Sequence, residues 1–253
     1  MLRISRHGWR PHNPFMSPPN PVALRCISSM ATRALLAELT SLAHAQRGLA
    51  MTVESVGGVD AARRVAAGEA FDVVVLAADA IDKLMAGGHL VPGSRVDLVR
   101  SPVAVAVPAG AVRTDLSSEA SLRDAVLAAP TLGYSTGPSG TALLALFERW
   151  GIGHEVAGRL RQAPPGVPVA TLVARGDAAL GFQQLSELLH APGIDIVGPL
   201  PAPVQIVTTF SGALCAAGPR SEPARALLDF MASPACADAK RRHGMEPAGD
   251  PRP

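Results

Sequence analysis

Apolar residues along this chain fall into short continuous runs separated by stretches of helical spacing. Phe71-Asp72-Val73-Val74-Val75-Leu76 is the plainest run. It is bounded by turn signals, as a strand buried on both faces of a parallel sheet would be. Pro21 to Ile27 reads as an earlier strand, and Ser28-Ser29 then open a helical pattern from Met30 to Gln46. Ala34, Leu35, Ala37, Leu39 and Leu42 give that helix a wide apolar face. Either serine can cap it. A short strand from Ala50 to Glu54, the turn Ser55-Val56-Gly57-Gly58 and a helix from Val59 to Ala67 follow. Asp79 to Ala86 reads as a helix closed by Gly87-Gly88. Strand and helix alternate, which predicts an α/β layer fold.

Val96 to Val107 is extended, interrupted at Ser101-Pro102 and stopped at Pro108. The strand–helix rhythm then restarts. Helices are predicted over 121–129, 142–150, 169–175 and 184–190, and strands over 131–134, 178–182 and 194–197. Residues 151–168 carry Pro164, Pro165 and Pro168 and read as irregular. Val204 to Ala217 is uncharged and β-rich, and helices over 222–231 and 234–243 close the chain. Two strand–helix groups thus flank the region near 108, with a second crossing near 200. The expected organisation is two lobes joined by a hinge. Lobe 1 takes 22–107 and 203–253, lobe 2 takes 108–202, and 1–21 is a disordered leader or extension.

Bulk properties narrow the function classes. The 253 residues suit one large domain or two lobes of roughly 100 residues each. A net charge of +2 offers no bulk argument for nucleic acid. No apolar run approaches the ~20 residues of a membrane span. Residues 1–21 are rich in Arg, His and Pro and lack the apolar core of a secretory signal. The native start is therefore Met1 or Met16, and a cytoplasmic location is open. Cys26, Cys215 and Cys236 form no CxxC or Cys/His metal spacing. They are expected as buried thiols, with one disulfide left open. No metal or cofactor site is expected.

The candidate chemistry lies in turns at strand ends. Leu132 to Thr141 runs from a strand through hydroxyls and glycines into a helix. Ser135, Thr136, Ser139 and Thr141 supply donors, Gly140 permits close backbone approach, and the open helix start favours an anion. The bland alternative is a plain turn capped by Ser139. Ser28, Ser29 and Ser55 occupy equivalent turns, and Arg33 lies one helical turn beyond Ser29, where it can reach a carboxylate. Gln183 and Gln184 directly follow a buried strand, and one of the two is expected to meet ligand. Glu187 and His190 lie on the next helix and are expected to be exposed. The turns contain no His, Cys or Lys, and no carboxylate could be placed there as an acid or base.

Several segments, taken in order, carry a resemblance: Ile27-Ser28-Ser29, Ser55 before Gly57, Ala67 to Val73, Val103 to Gly110, Ser139-Gly140, Arg175 to Phe182 and His243 to Pro247. Together the chain resembles the molybdate-type periplasmic solute-binding proteins of the type II periplasmic-binding-protein fold. The resemblance implies a mostly parallel sheet flanked by helices in each lobe and a ligand cleft between the lobes. It also implies a small oxyanion or organic carboxylate as ligand, a periplasmic location and an ABC permease partner if the chain is exported. A monomer is expected. Ser28 or Ser29, Ser55 and Gly57, backbone near Ser135–Thr141 and near Gly166–Val167 would then hold the anion. Where molybdate binders tend to place a tyrosine, this chain has Gln183-Gln184. The same family look is shared with the aconitate isomerases, cofactor-free enzymes that move a double bond in a tricarboxylate. That activity is the alternative expectation.

Overall fold

The computed structural model describes residues 23–249. The expected leader and both candidate start methionines lie outside them. The chain first lays down β1 (Leu24–Ser29), α1 (Arg33–Arg47), β2 (Met51–Val56), α2 (Gly58–Ala66), β3 (Val73–Ala77) and α3 (Ala78–Ala86). β2, β1 and β3 lie side by side and parallel, so Ser28 stands opposite Ser55 at their carboxyl ends. β4 (Val96–Pro108) then leads to α4 (Glu119–Ala128), β5 (Leu132–Tyr134), α5 (Pro138–Arg149), α6 (Gly153–Val156) and β6 (Leu160–Gln162). α7 (Val169–Ala174), β7 (Leu180–Gln184), α8 (Leu185–Leu188) and β8 (Ile194–Pro199) come next. β5 pairs in parallel with β6 and β7. β9 (Val207–Leu214), α9 (Ser221–Ala232), α10 (Ala237–Arg242) and β10 (Glu246–Pro247) complete the described chain.

The strands run in the order β2-β1-β3-β9-β4-β7-β5-β6. Three parallel strands stand at each end, and the antiparallel β9 and β4 join them. β4 changes partners along its length. Residues 96–102 pair with β9, and residues 103–108 pair with β7 and β8. The Ser101-Pro102 step therefore does not interrupt the strand. It falls where β4 changes partner, so the missing N–H of Pro102 is tolerated.

Each sheet half has apolar side chains on both faces. Val73, Val75 and Ala77 join one core with α1 and α9 residues such as Leu36 and Leu228, while Val74 and Leu76 join another with Ile81. Val103, Val105 and Val107 pack with Phe147 and Phe182, and Ala104 and Ala106 pack with Leu188 on the opposite face. This is the period-two alternation of strands covered by helices on both sides. Asp72, at the entrance to β3, is buried and bonds the Arg25 N–H and the Arg220 guanidinium, each at 2.9 Å, tying three segments together.

Some boundaries differ from expectation, each for a local reason. The helix expected from Met30 begins as a 3-10 turn over Met30–Thr32, because the Ser29 hydroxyl caps Ala31 at once. Residues 151–168 contain α6, a 3-10 turn and β6. β6 is three residues long, and Arg161 and Gln162 are exposed. It therefore shows no apolar period. α8 is one turn rather than a helix from Gln184 to His190, and Gln184 still belongs to β7. The cysteines are buried free thiols, so the disulfide left open does not form. Burial pushes the Cys215 thiol up to about 12 and Cys26 higher still. Both are inert as nucleophiles at neutral pH.

Candidate functional site

Parallel strands end in turns whose backbone donors converge outside the carboxyl edge of the sheet. In the first sheet half, β1 ends in Ser28-Ser29 and β2 in Ser55-Val56. The Ser28 and Ser55 hydroxyls are 2.8 Å apart. Ser28 is fully buried and also bonds the Ser29 carbonyl at 3.3 Å. A hydroxyl has one proton and can accept two. The single Ser28 proton goes either to the Ser29 carbonyl or to Ser55, and only in the second case is the Ser55 proton free for a ligand oxygen. Ser29 is occupied locally as the cap of the next turn, with its hydroxyl 3.2 Å from the Ala31 N–H. Gly57 is the N-cap of α2 and has no side chain to cover the first N–H groups of that helix. Arg33 stands exposed at the start of α1.

In the second half, β5 runs into Ser135 and α5. Gly137, not Ser139, is the N-cap, and Pro138 sits in the first turn. Ser139 is buried inside that turn, with its hydroxyl 3.0 Å from that of Ser135. Gly140 is demanded by space. A Cβ there would lie 1.9 Å from the Ser135 carbonyl oxygen. Thr136 and Thr141 are exposed on the rim. The segment before α7 supplies Gly166, at a φ of +77°, and Val167, which is 36% exposed.

The two halves meet at these turns. A Cβ on Gly57 would come 4.0 Å from the Gly166 amide nitrogen. The Ser186 hydroxyl on α8 donates to the Ala31 carbonyl at 2.9 Å, joining α8 to the turn after β1. The structure therefore brings Ser28, Ser55, Gly57 and Gly166 to one seam. Arg33, Thr136 and Thr141 remain on the surface.

The glutamines at the end of β7 diverge. Both are buried. Gln183 is fully engaged: its Oε1 accepts the Val169 N–H at 2.8 Å, and its Nε2 donates to Glu187 at 2.6 Å. Gln184 donates through Nε2 to Thr208 Oγ1 at 2.8 Å, while its Oε1 has no partner among the described residues.

Glu187 corrects the sequence expectation. It is half-buried rather than exposed, and burial pushes its carboxyl up to about 7, against a smaller opposing effect of the Gln183 bond. A carboxyl in that range exchanges protons at neutral pH. It stands on α8, which touches the first half through Ser186, and is bonded to the glutamine that holds the start of α7. His190 is exposed, as expected, with its ring 6.1 Å from that of His243. Among the described residues no cluster of His, Cys, Asp or Glu could hold a metal ion, and no helix is long and apolar enough to cross a membrane.

A profile of the bacterial extracellular solute-binding proteins matches residues 24–246. An aconitate isomerase from Pseudomonas sp is 42% identical over 185 residues, which is 73% of this chain and 70% of that protein. The fold superposes on the periplasmic molybdate-binding protein of Azotobacter vinelandii with a TM-score of 0.74 at 19% identity, covering 90% of this chain and 100% of the other. It superposes on the sulfate-binding protein SubI of Mycobacterium tuberculosis H37Rv with a TM-score of 0.73 at 16% identity, covering 90% and 87%. These likenesses establish the two-lobed type II periplasmic-binding-protein fold. The chain belongs to the bacterial extracellular solute-binding protein family.

Proposed function

We propose that the chain binds an unsaturated tricarboxylate between its two sheet halves and shifts the double bond by proton transfer, the activity for which its Pseudomonas relative is named. In this reading residues 22–107 with 203–253 form one lobe and 108–202 the other. Ser28, Ser55, Gly57 and the backbone of Ser135–Thr141 and Gly166–Val167 face the ligand. The observation that carries the reading is Glu187, held at 2.6 Å by Gln183 and protonating near neutrality. A general base works best when its pKa lies near the operating pH.

The chemistry balances without a cofactor. Glu187 takes a proton from the methylene carbon, which carries one carboxylate and adjoins the carboxylate-bearing vinyl carbon. The electron pair spreads over the three-carbon unit and its carboxylates, and the double bond moves. The proton then returns to the former vinyl carbon. Developing negative charge is met by oriented N–H groups and serine hydroxyls. The reaction test is the interconversion of cis- and trans-aconitate followed by absorbance with the full chain. Turnover is expected; bound but unchanged aconitate would overturn the reading.

Two further results follow from the same site. The base must be ionised in the free enzyme, so kcat/KM is expected to rise with pH through about 7 and to level above it. A profile flat from pH 5 to 9 would exclude Glu187 as the base. Ser55→Ala removes the hydroxyl paired with Ser28, which offers its proton to the ligand when Ser28 donates to it. Aconitate affinity is expected to weaken about tenfold, the scale of a hydrogen bond to a charged group; equal titration curves for the two proteins would contradict that.

A second reading rests on the Ser28–Ser55 pair alone: a non-catalytic anion carrier in the periplasm that delivers its cargo to an ABC permease. Thermal shift separates the two, since a ligand that binds only the native state raises the midpoint. Stabilisation by molybdate, tungstate or sulfate and not by aconitates would favour the carrier.

A further inference from the structure

Where β4 passes from one sheet half to the other, buried polar groups lack partners. Ser101 Oγ and Gln184 Oε1 are sealed from solvent and have no hydrogen-bond partner among the described residues. Gln205 Oε1, just before β9, is a third. Ser101 pairs with Thr208, and Val103, two residues along β4, pairs with Gln184. Alternation along β4 puts Ser101, Thr208 and Gln184 on one face of the sheet. The 2.8 Å bond from Gln184 Nε2 to Thr208 Oγ1 agrees with that placement. α5, which carries Ser139, packs against β9. The group therefore lies where β4 passes between the halves, and β9, which carries Thr208, packs against the helix that carries Ser139.

Buried polar groups are almost always satisfied, so a pair left open at one spot asks for an explanation. We propose that Ser101 and Gln184 form a carboxylate-binding subsite where β4 crosses between the halves, completed by an oxygen of the ligand. The donors are available. Thr208 can donate as well as accept, so the Gln184 amide can turn over, keep its bond to Thr208 and present its NH2 group. The Ser101 hydroxyl supplies the second proton. Both donors are neutral, which suits one carboxylate of a polycarboxylate whose remaining charge is met elsewhere. The subsite rests on the carboxylate reading of the proposed function.

Ser101→Ala in the full chain tests it, with tricarballylate as the probe, a saturated tricarboxylate that has no double bond to move. The alanine removes an unsatisfied hydroxyl, so the ligand-free Tm is expected to hold or rise by about 2–4 °C. The tricarballylate Kd, read by calorimetry, is expected to weaken about tenfold. Gain of stability with loss of affinity is the signature of groups kept open for a ligand. Should that variant fold poorly, Gln184→Met is expected to weaken the same Kd to a similar degree. An unchanged Kd in both variants overturns the subsite. If the wild type still isomerises aconitate in that case, the proposed function stands and the subsite alone fails. A wild type that binds neither tricarballylate nor aconitate removes both.

Discussion

Glu187→Gln is expected to slow aconitate interconversion by about 10²–10⁴-fold, the usual contribution of a positioned acid or base. The amide has nearly the same volume and can still accept the Gln183 bond through its oxygen, so the β7–α8 corner keeps its shape. It cannot take a proton. The loss should appear in kcat, with aconitate Kd changed by less than threefold or so, because the interaction removed belongs to the transition state. Linkage provides an independent check that the carboxyl is buried. Burial raises its folded pKa from the ordinary carboxylate range to about 7. Its protonated form therefore stabilises the native state fully below the unfolded pKa, and that contribution fades as pH rises through 7. The wild type should lose Tm relative to the variant across that window. A variant with wild-type kcat would remove Glu187 from the mechanism.

Gly140→Ala is expected to destabilise the protein by about 3 kcal/mol and to abolish tight ligand binding. The new methyl would meet the Ser135 carbonyl oxygen at 1.9 Å and Tyr134 Cδ2 at 3.2 Å. The first of these is backbone and cannot turn aside. The first turn of α5 must therefore lift from Ser135, which separates the Ser135 and Ser139 hydroxyls and re-aims the N–H groups at the helix start. Urea unfolding should show a lower midpoint at unchanged slope, as for a loss of stability without a change in cooperativity. Wild-type stability and affinity together would mean that the tight first turn is not needed.

Much of the fold was legible because buried strands write themselves as apolar runs. The run Phe71–Leu76 and the extended segment Val96–Val107 show in the sequence, and the strand residues 73–77 and 103–107 within or beside them are covered by helices on both faces. The serines at the ends of the first two strands were legible as turn residues, while their opposition comes from the parallel register of β1 and β2. β6 and β10 were not legible. One is three residues with its polar side chains outward, and the other is two residues whose pairing is fixed only by β4. Glu187 was misplaced for a related reason. On a regular helix it falls on a polar face, but α8 is a single turn whose direction is set by the Ser186–Ala31 bond. The spacing of Gln183 and Glu187, four residues apart, was the available signal, since such residues can meet on a helical turn. Gln184 and Ser101 depend on register across β4, which no local pattern shows.

On the proposed function, this solute-binding-protein chain performs proton-transfer chemistry on an unsaturated tricarboxylate. Proton NMR of trans-aconitate incubated with a trace of the purified full chain tests it most directly. Cis-aconitate signals are expected to grow until the isomers reach a fixed ratio, many turnovers per molecule of protein. Resonances that broaden on binding while trans-aconitate stays intact would contradict it and leave a carboxylate carrier.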